Sequence, residues 1–212
     1  MRVLDVGCGR GELALHCAQR GALVWGIDYA QAAIDLANEA LAKAPDTIQQ
    51  RIELRQEDAR ALPFEDASVD IAFMLDVVEH LTPPELDRTL QEVFRVLKPG
   101  GRLIVHTMPN LWYYRFGYPL YRVLQRLRGE VLPPDPRDRW EFKEVHVNEQ
   151  TPWALRQTLR HNSFRTRVWL RSTQQYDYER SPVVRAGMKF LVSAPLISLL
   201  FCNDIFAVAA KD

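Results

Sequence analysis

Cysteine is scarce in this sequence, and its three residues make no even disulfide framework: Cys8, Cys17 and Cys202. No charged and then apolar signal segment opens the chain, so we expect a reducing, cytoplasmic environment. No apolar run is long enough to span a bilayer, because the longest one covers only 13 residues, 190–202. The sequence also lacks a net charge, because 27 basic residues balance 27 acidic ones. The absence of a basic surplus argues against a nucleic-acid partner.

The composition that remains is that of one globular domain. Hydrophobic residues make up 47% and charged residues 25% of the 212 residues, which excludes disordered and fibrous chains. The length suits a single domain over 1–212. Its charge is nevertheless divided. Residues 1–112 carry 11 basic and 17 acidic side chains, a net charge of −6, whereas residues 113–212 carry 16 and 10, a net charge of +6. We therefore expect two halves with different tasks.

The first half alternates short apolar runs with helical patterns. The predicted strands are 2–6, 23–27, 52–55, 69–74 and 102–106. Helices are expected over 12–20 and 30–42, and a third begins with a capping box at Thr82-Pro83-Pro84-Glu85 and ends before Pro99-Gly100-Gly101. Such alternation predicts a parallel sheet with helices on both faces. The second half is less regular, with helices from 113 and 151 and two closing strands at 164–170 and 204–210.

A glycine-rich turn follows the first predicted strand, and an acidic residue follows each of the next two. The turn Asp5-Val6-Gly7-Cys8-Gly9-Arg10-Gly11 lets a ligand approach the backbone closely. Asp28 comes directly after the second strand, where a carboxylate can accept both hydroxyls of a ribose. Asp58 follows the third strand, where an acid can accept hydrogen bonds from an adenine amino group. Each acid alone is also explained as a helix cap, but their joint placement favours a ligand at the carboxyl ends of the strands.

Four segments of the sequence come in the order and spacing of a known family. They resemble the class I S-adenosylmethionine-dependent methyltransferases, and most closely the branch that methylates small molecules, including the quinone-biosynthesis O-methyltransferases. The segments are VLDVGCGRGELAL (3–15), GIDYA (26–30), QEDARALPFEDASVDIAF (56–73) and LKPGGRLIV (97–105). The resemblance covers residues 1–107. It implies S-adenosylmethionine as cofactor and a Rossmann-like α/β fold, with seven strands, the last antiparallel, and helices on both faces.

The resemblance also implies a cofactor site at the ends of the first four strands. Its residues are Asp5, Gly7, Gly9, Gly11, Asp28, Asp58, Ala59 and Leu75. The glycines would cradle the methionine part, Asp28 would hold the ribose, and Asp58 with Ala59 would hold the adenine. Family members usually have a helical segment before the first strand that closes over the cofactor. Met1 stands one residue before that strand, so we expect either an N-terminal extension or weakened cofactor binding.

Two acids and a histidine follow the fourth strand, in Asp76-Val77-Val78-Glu79-His80, and His146 lies ahead of a later helix. Three interpretations are open. Asp76, Glu79, His80 and His146 hold Mg, Mn or Zn, in a pattern similar to that of metal-assisted O-methyltransferases. Alternatively, Glu79, His80 and His146 are catalytic residues of an acceptor pocket, with His80 as a base. In the third interpretation they are turn residues without a chemical role.

Polar and aromatic residues follow the fifth strand. His106 and Asn110 either border the acceptor or cap the end of the strand. An aromatic cluster that begins with Trp112, Tyr113 and Tyr114 either lines an acceptor pocket or packs the next helix on the sheet.

Residues 113–212 are expected to form the acceptor-side half, with helical insertions, and residues 1–112 the cofactor-binding half. The run 113–128 contains no acidic residue and places Leu120, Val123, Leu124 and Leu127 on one face of a helix. This pattern indicates either a helix packed on the sheet or a basic, apolar surface for a lipophilic acceptor or a membrane. We expect a small-molecule acceptor and a peripheral membrane contact, and no partner protein is predicted.

The leading hypothesis is therefore methyl transfer to a small acceptor that is lipophilic and carries a hydroxyl group. The alternative is a non-catalytic or truncated S-adenosylmethionine-binding protein. A nicotinamide-dependent oxidoreductase is disfavoured, because Glu12 stands where the dinucleotide fingerprint needs a small residue.

Overall fold

The computed structural model describes residues 1–139, 143–172, 181–194 and 196–212. Within these residues seven strands form one sheet: β1 Arg2–Val6, β2 Leu23–Asp28, β3 Ile52–Gln56, β4 Val69–Leu75, β5 Leu97–Thr107, β6 Arg165–Leu170 and β7 Ile205–Ala210. Their order across the sheet is β3-β2-β1-β4-β5-β7-β6. Strands β1 to β5 are mutually parallel, and β7 is antiparallel to both of its neighbours. The predicted sheet with an antiparallel last strand is confirmed.

Helices connect the strands and cover both faces of the sheet. They are α1 Glu12–Gln19, α2 Gln31–Leu41, α3 Asp46–Gln49, α4 Pro83–Val96, α5 Tyr118–Leu127, α6 Pro152–His161, α7 Pro182–Ser193 and α8 Ser198–Phe201. The start of α4 is the predicted capping box, in which the Thr82 N–H donates to Glu85 Oε2 at 3.0 Å. Thr151 caps α6 in a similar way, since its hydroxyl accepts from the Ala154 N–H at 3.0 Å.

The core consists of two apolar clusters, one on each face of the sheet. The larger cluster joins β4 and β5 to α4 and α6, with residues such as Leu90 and Leu155 fully buried. The smaller cluster packs Ala14 and Ala18 of α1 against β1 and β2. The sheet is therefore held on both faces, and the carboxyl ends of β1 to β5 meet at one edge.

β5 begins earlier than the sequence predicts. It starts at Leu97 directly after α4, and the predicted turn around Gly100 and Gly101 lies inside it. These two glycines exchange backbone hydrogen bonds with Lys211, beyond β7, at 2.8 and 3.0 Å. The added pairing extends the strand through residues that would otherwise end it.

The first helix of the second half also differs from its prediction. It starts as a π-helical turn, Tyr113–Gly117, and continues as α5. A Cβ on Gly117 would collide with the backbone carbonyl oxygen of Leu200 in α8. The glycine thus allows the turn to pack directly against α8.

The apolar stripe of α5 faces solvent. Leu120, Val123, Leu124 and Leu127 are 46–81% exposed, whereas Tyr118 and Gln125 are the buried residues of the helix. The packing of this stripe on the sheet, one of the two interpretations of the sequence, is therefore not observed. In the part of the chain that the structure describes, no helix combines the length and the apolar character needed to cross a bilayer.

Candidate active site

The glycine turn after β1 has a left-handed backbone, with φ angles of 71° at Gly7, 50° at Gly9 and 76° at Gly11. Residues with a side chain rarely adopt such angles. A Cβ on Gly7 would lie 2.5 Å from Cγ2 of Val77, whereas no described atom lies within 4 Å of a Cβ built on Gly9. Gly7 is therefore required for packing, and the absence of a side chain at Gly9 leaves open space for a ligand.

Asp28 ties this turn to the end of β2. One carboxylate oxygen accepts the Gly9 N–H at 3.0 Å, and the other accepts the Ala30 N–H at 2.9 Å. Each carboxylate oxygen can accept a second hydrogen bond. The half-buried side chain can therefore fix the turn and still accept hydroxyl groups from a ligand.

Asp5 is a buried acid at the centre of this edge. Its side chain is 3% exposed, and its Oδ2 has no hydrogen-bond partner among the described residues. Burial, and then the negative charge of Asp28, raises the pKa of Asp5 to about 7. An unsatisfied carboxylate of this kind is costly, so the site fits a ligand that brings a positive charge or an N–H group. S-adenosylmethionine meets this requirement.

The acid after β3 has a partner that the sequence analysis missed. The Arg60 guanidinium binds both carboxylate oxygens of Asp58 at 2.8–3.0 Å and also reaches Glu85 in α4 at 2.5 Å. The hydrogen bond from Arg60 lowers the pKa of Asp58. Ala59 packs against the core, and Leu75 is the half-buried last residue of β4. The adenine role of these residues stays a prediction.

Glu79, His80 and His146 converge after β4. One potential ligand atom from each lies within 4.8 Å of the others, and the two imidazole rings are 4.9 Å apart between their centroids. The arrangement is held by the backbone, because the N–H groups of Val147 and Asn148 donate to the Glu79 carbonyl at 2.9 and 3.0 Å. Residues more than 60 positions apart in sequence thus share one site.

Each side chain of this cluster has its own environment. Glu79 is 1% exposed, its Oε2 accepts the Thr107 hydroxyl at 2.7 Å, and burial raises its pKa. Nδ1 of the exposed His80 lies 3.1 Å from the Val145 carbonyl oxygen. Since a carbonyl oxygen only accepts, Nδ1 carries a proton and Nε2 is left to face a ligand. Burial, and then the nearby His80, lowers the pKa of His146, which favours its neutral form.

Asp76, the fourth predicted metal ligand, does not join this cluster. Its Oδ1 lies 2.8 Å from Nδ1 of His106, whose Nε2 lies 3.3 Å from Asp204 Oδ1. Burial lowers the pKa of His106, but hydrogen bonds and charges from Asp204 and Asp76 outweigh it and raise the pKa to about 9. A charged imidazole therefore links the ends of β4 and β5 to the start of β7. Asp76 thus pairs with His106, and the described residues that could hold a metal together are Glu79, His80 and His146; the metal role stays a prediction.

Comparisons with known proteins agree with the geometry of this edge. A family model described as a methyltransferase domain matches residues 4–105. A ubiquinone biosynthesis O-methyltransferase of Leptothrix cholodnii is 38% identical over 189 residues, which cover 84% of this chain and 75% of that protein. A sterol 4-C-methyltransferase of Caenorhabditis elegans is 28% identical over 92% of this chain and 54% of its own length.

The fold has solved counterparts as well. The crystal structure of a SAM-dependent methyltransferase from Methanosarcina mazei superposes with a TM-score of 0.63 at 27% identity, covering 99% of this chain and 92% of that one. The chain belongs to the class I S-adenosylmethionine-dependent methyltransferase family. It spans about half the length of several curated relatives that it matches.

Proposed function

We propose that this chain transfers the methyl group of S-adenosylmethionine to a small, lipophilic acceptor that carries a hydroxyl group. The observation that carries the proposal is the unpartnered, buried Asp5 carboxylate together with the open space at Gly9, on the same sheet edge as the Glu79, His80 and His146 cluster. Two relatives support the lipophilic class, since their names refer to ubiquinone biosynthesis and to a sterol.

The cofactor supplies a methyl group that is already activated by a positive sulfur and that transfers by in-line displacement. Asp5 matches the positive charge, the open space at Gly9 admits the methionine part, and Asp28 accepts from the ribose. Gly7 and Gly11 give the turn the shape that this requires. Asp58, Ala59 and Leu75 border the adenine in this proposal. The fit rests on the unpartnered oxygen of Asp5 and on the open space above Gly9.

His80 acts as the base for the acceptor hydroxyl in this proposal. Its Nδ1 is engaged by the Val145 carbonyl, which orients Nε2 to take the proton. Glu79 fixes the turn through Thr107, and His146 packs edge-on against the His80 ring. A base in this position contributes about 100- to 10,000-fold to the rate of proton removal.

A divalent cation is a second candidate for activating the acceptor. Glu79, His80 and His146 offer one oxygen and two nitrogens within 4.8 Å, a donor set that suits Mn or Zn, and one that Mg accepts less readily. A hydrogen bond from the second ring nitrogen to a carbonyl, as in His80, is typical of ligating histidines. A cation held there would lower the pKa of the acceptor hydroxyl.

The test of function uses the purified chain, methyl-labelled S-adenosylmethionine and 4-tert-butylcatechol as a lipophilic hydroxyl acceptor. We expect labelled methyl ether, and His80→Ala should lower the rate at least about 100-fold while cofactor affinity stays within about twofold. His161→Ala, at the exposed end of α6, is the matched control. Cofactor binding without transfer to any hydroxyl acceptor would favour the non-catalytic alternative.

Metal content distinguishes the two candidate mechanisms for proton removal. Calorimetry with MnCl2 and with ZnCl2 on the EDTA-treated chain should show one site if a cation is used. The affinity should then fall about 10-fold or more in His146→Ala. Full activity in EDTA, with no metal bound, would assign proton removal to His80 alone.

The exposed stripe of α5 supports a peripheral contact with a membrane that holds a lipophilic acceptor. Leu127 is 81% exposed, and Arg122 and Arg126 lie on the same helix. Apolar residues flanked by arginines match the interface of an anionic lipid surface. This contact would place the acceptor-side half at the surface where lipophilic substrates reside.

A further inference from the structure

A cavity of about 580 Å³ lies beside residues 111–115, which follow β5. Its walls include Trp112, Tyr114, Asp135, Arg137 and Glu149. The size suits part of a small ligand. Two aromatic side chains and charged groups of both signs give it the character of a binding site.

Glu149 is the side chain that sets the chemistry of this cavity. Its side chain is 6% exposed, and Oε1 has no hydrogen-bond partner in the described part of the chain. Oε2 is 3.7 Å from Nη1 of Arg137, which is too long for a strong hydrogen bond. Buried carboxylate oxygens are rarely left without a donor, so Oε1 is available to a ligand that donates.

Two of the other charged groups around Glu149, Asp135 and Arg137, are already paired with each other. Asp135 binds the Arg137 guanidinium through two parallel hydrogen bonds, Nε to Oδ1 at 3.0 Å and Nη2 to Oδ2 at 2.8 Å. The wall carries two arginines, Arg115 and Arg137, and two acids, Asp135 and Glu149, so its formal charges sum to zero. Burial, and then the charge of Glu149, raises the pKa of Tyr114, which keeps its phenol neutral. A neutral ligand therefore suits the cavity better than a charged one.

The cavity and the Glu79, His80 and His146 cluster share one segment of chain. Val147 and Asn148 are bonded to the Glu79 carbonyl, and two residues on, the Gln150 carbonyl accepts the Leu111 N–H at 2.9 Å. Glu149 lies between these anchors, one of which follows β4 and the other β5. The cavity is thus on the side of the sheet edge where the acceptor is expected.

We propose that this cavity binds a neutral, ring-bearing part of the methyl acceptor, with a hydroxyl group that donates to Glu149 Oε1. The inference rests on the proposed function, because it assigns the cavity to the acceptor of that reaction. Trp112 and Tyr114 provide apolar ring surface for the ligand. Glu149 is a binding residue that selects hydroxyl-bearing acceptors over analogues that lack the donor, because an unmatched buried acceptor is costly.

Binding of 4-tert-butylcatechol in the presence of S-adenosylhomocysteine tests the proposal, measured by saturation-transfer NMR and calorimetry. Glu149→Met removes the acceptor atoms and should weaken catechol binding about 10- to 100-fold. Glu149→Gln keeps one acceptor oxygen and should lose less. Affinity for tert-butylbenzene, which has no hydroxyl, should be the same in all three proteins. Glu144→Gln, an exposed acid on the same segment, is the matched control.

The outcomes separate this inference from the proposed function. Unchanged catechol affinity in both folded Glu149 variants, or no catechol binding to the wild type, would overturn the inference. If Glu149→Met does not fold, Glu149→Gln alone decides, and wild-type affinity for both probes overturns the inference. Methyl transfer whose KM is insensitive to Glu149 would overturn it while leaving the function intact. Glu149-dependent catechol binding without any methyl transfer would support it and remove the function.

Discussion

Two helices, α4 in residues 1–112 and α5 in residues 113–212, show the same amphipathic pattern with opposite results. The apolar face of α4 is buried, with Leu86 and Leu90 at most 1% exposed. The apolar face of α5 is exposed, and its buried residues are Tyr118 and Gln125. Periodicity predicts that a helix has two faces, but it does not predict which face meets the protein.

The halves also differ in what their charges face. The acids Asp5, Asp28 and Asp58 of the first half gather at the carboxyl edge, where a positively charged cofactor fits. The second half, with its net charge of +6, presents arginines beside an apolar helix face. One half is thus organised around a buried edge of the sheet, and the other around an exposed surface.

The largest expected effect is on the pH dependence of stability and comes from Asp5, a residue of the first half. Its pKa rises from an ordinary 3.8 to about 7, so the folded state binds more protons than the unfolded state between these values. Stability of the cofactor-free chain therefore falls as pH rises from about 4 to about 7, by about 4 kcal/mol for this shift. Urea unfolding between pH 4 and pH 8 measures the fall, which Asp5→Asn should lack.

The same acid should couple pH to cofactor binding. The net positive charge of S-adenosylmethionine favours the ionised carboxylate, so its affinity should rise with pH through about 7 in the wild type only. Asp35→Asn, an exposed acid on α2, is the control and should behave as the wild type. Equal pH profiles for Asp5→Asn and the wild type would contradict the role of Asp5.

His106 gives the second largest effect and joins the two halves through Asp76 and Asp204. Its pKa is raised from 6.5 to about 9, so its stabilisation is fully present below about pH 6.5 and is lost as pH rises through about 9. His106→Gln should cost about 3 kcal/mol at pH 6 and progressively less toward pH 10. Urea unfolding measures this difference, with the exposed His16→Gln as control. A difference that is independent of pH would refute the charged state of His106.

Much of the fold could be predicted from local signals. The structure confirms the positions of the turn glycines, the Thr82 capping box and the strand–helix alternation. These features could be predicted because each depends on residues close together in sequence. The start of β5 was missed because Gly100 and Gly101 are held by Lys211, a pairing across more than a hundred residues. The sequence did not decide whether the apolar face of α5 is buried or exposed, because tertiary packing rather than periodicity determines this.

Residues of the site that are positioned by backbone turns could be predicted from the sequence. Partners that depend on ion pairs between side chains could not. The convergence of His80 with His146 agrees with the sequence prediction, because backbone hydrogen bonds from Val147 and Asn148 to Glu79 bring the two segments together. The Arg60 pairing of Asp58 and the Asp204 contact of His106 were missed, because no local pattern marks an ion pair. Glu149 was missed because no local pattern of the sequence marks its burial, which comes from residues far away in sequence such as Asp135 and Arg137.

Substituting Asp28 tests the proposed cofactor site in the first half of the chain. Asp28→Ala removes an acceptor of two backbone N–H groups and of the ribose hydroxyls, so cofactor affinity should fall by about 2–3 kcal/mol. Asp28→Asn keeps one acceptor oxygen and should lose less. Calorimetry with S-adenosylmethionine measures the loss, and circular dichroism checks the fold. Unchanged affinity in Asp28→Ala would refute the assignment.

The smallest effect on stability is expected on α5, where the comparison between the two helices is sharpest. Leu127→Ala removes a side chain that is already 81% exposed, so the free energy of unfolding should change by less than about 0.5 kcal/mol. Leu90→Ala, the same change on the buried face of α4, is the reference.

Flotation with vesicles of phosphatidylcholine and phosphatidylglycerol at low salt then measures the function of the exposed face. The wild type should float, and Leu127→Ala combined with Arg122→Glu and Arg126→Glu should stay in solution, because both the apolar and the electrostatic contributions are lost. High salt should release the wild type by screening the arginines. Absence of the wild type from the lipid fraction at low salt would rule out the membrane contact and leave the stripe of α5 without that role.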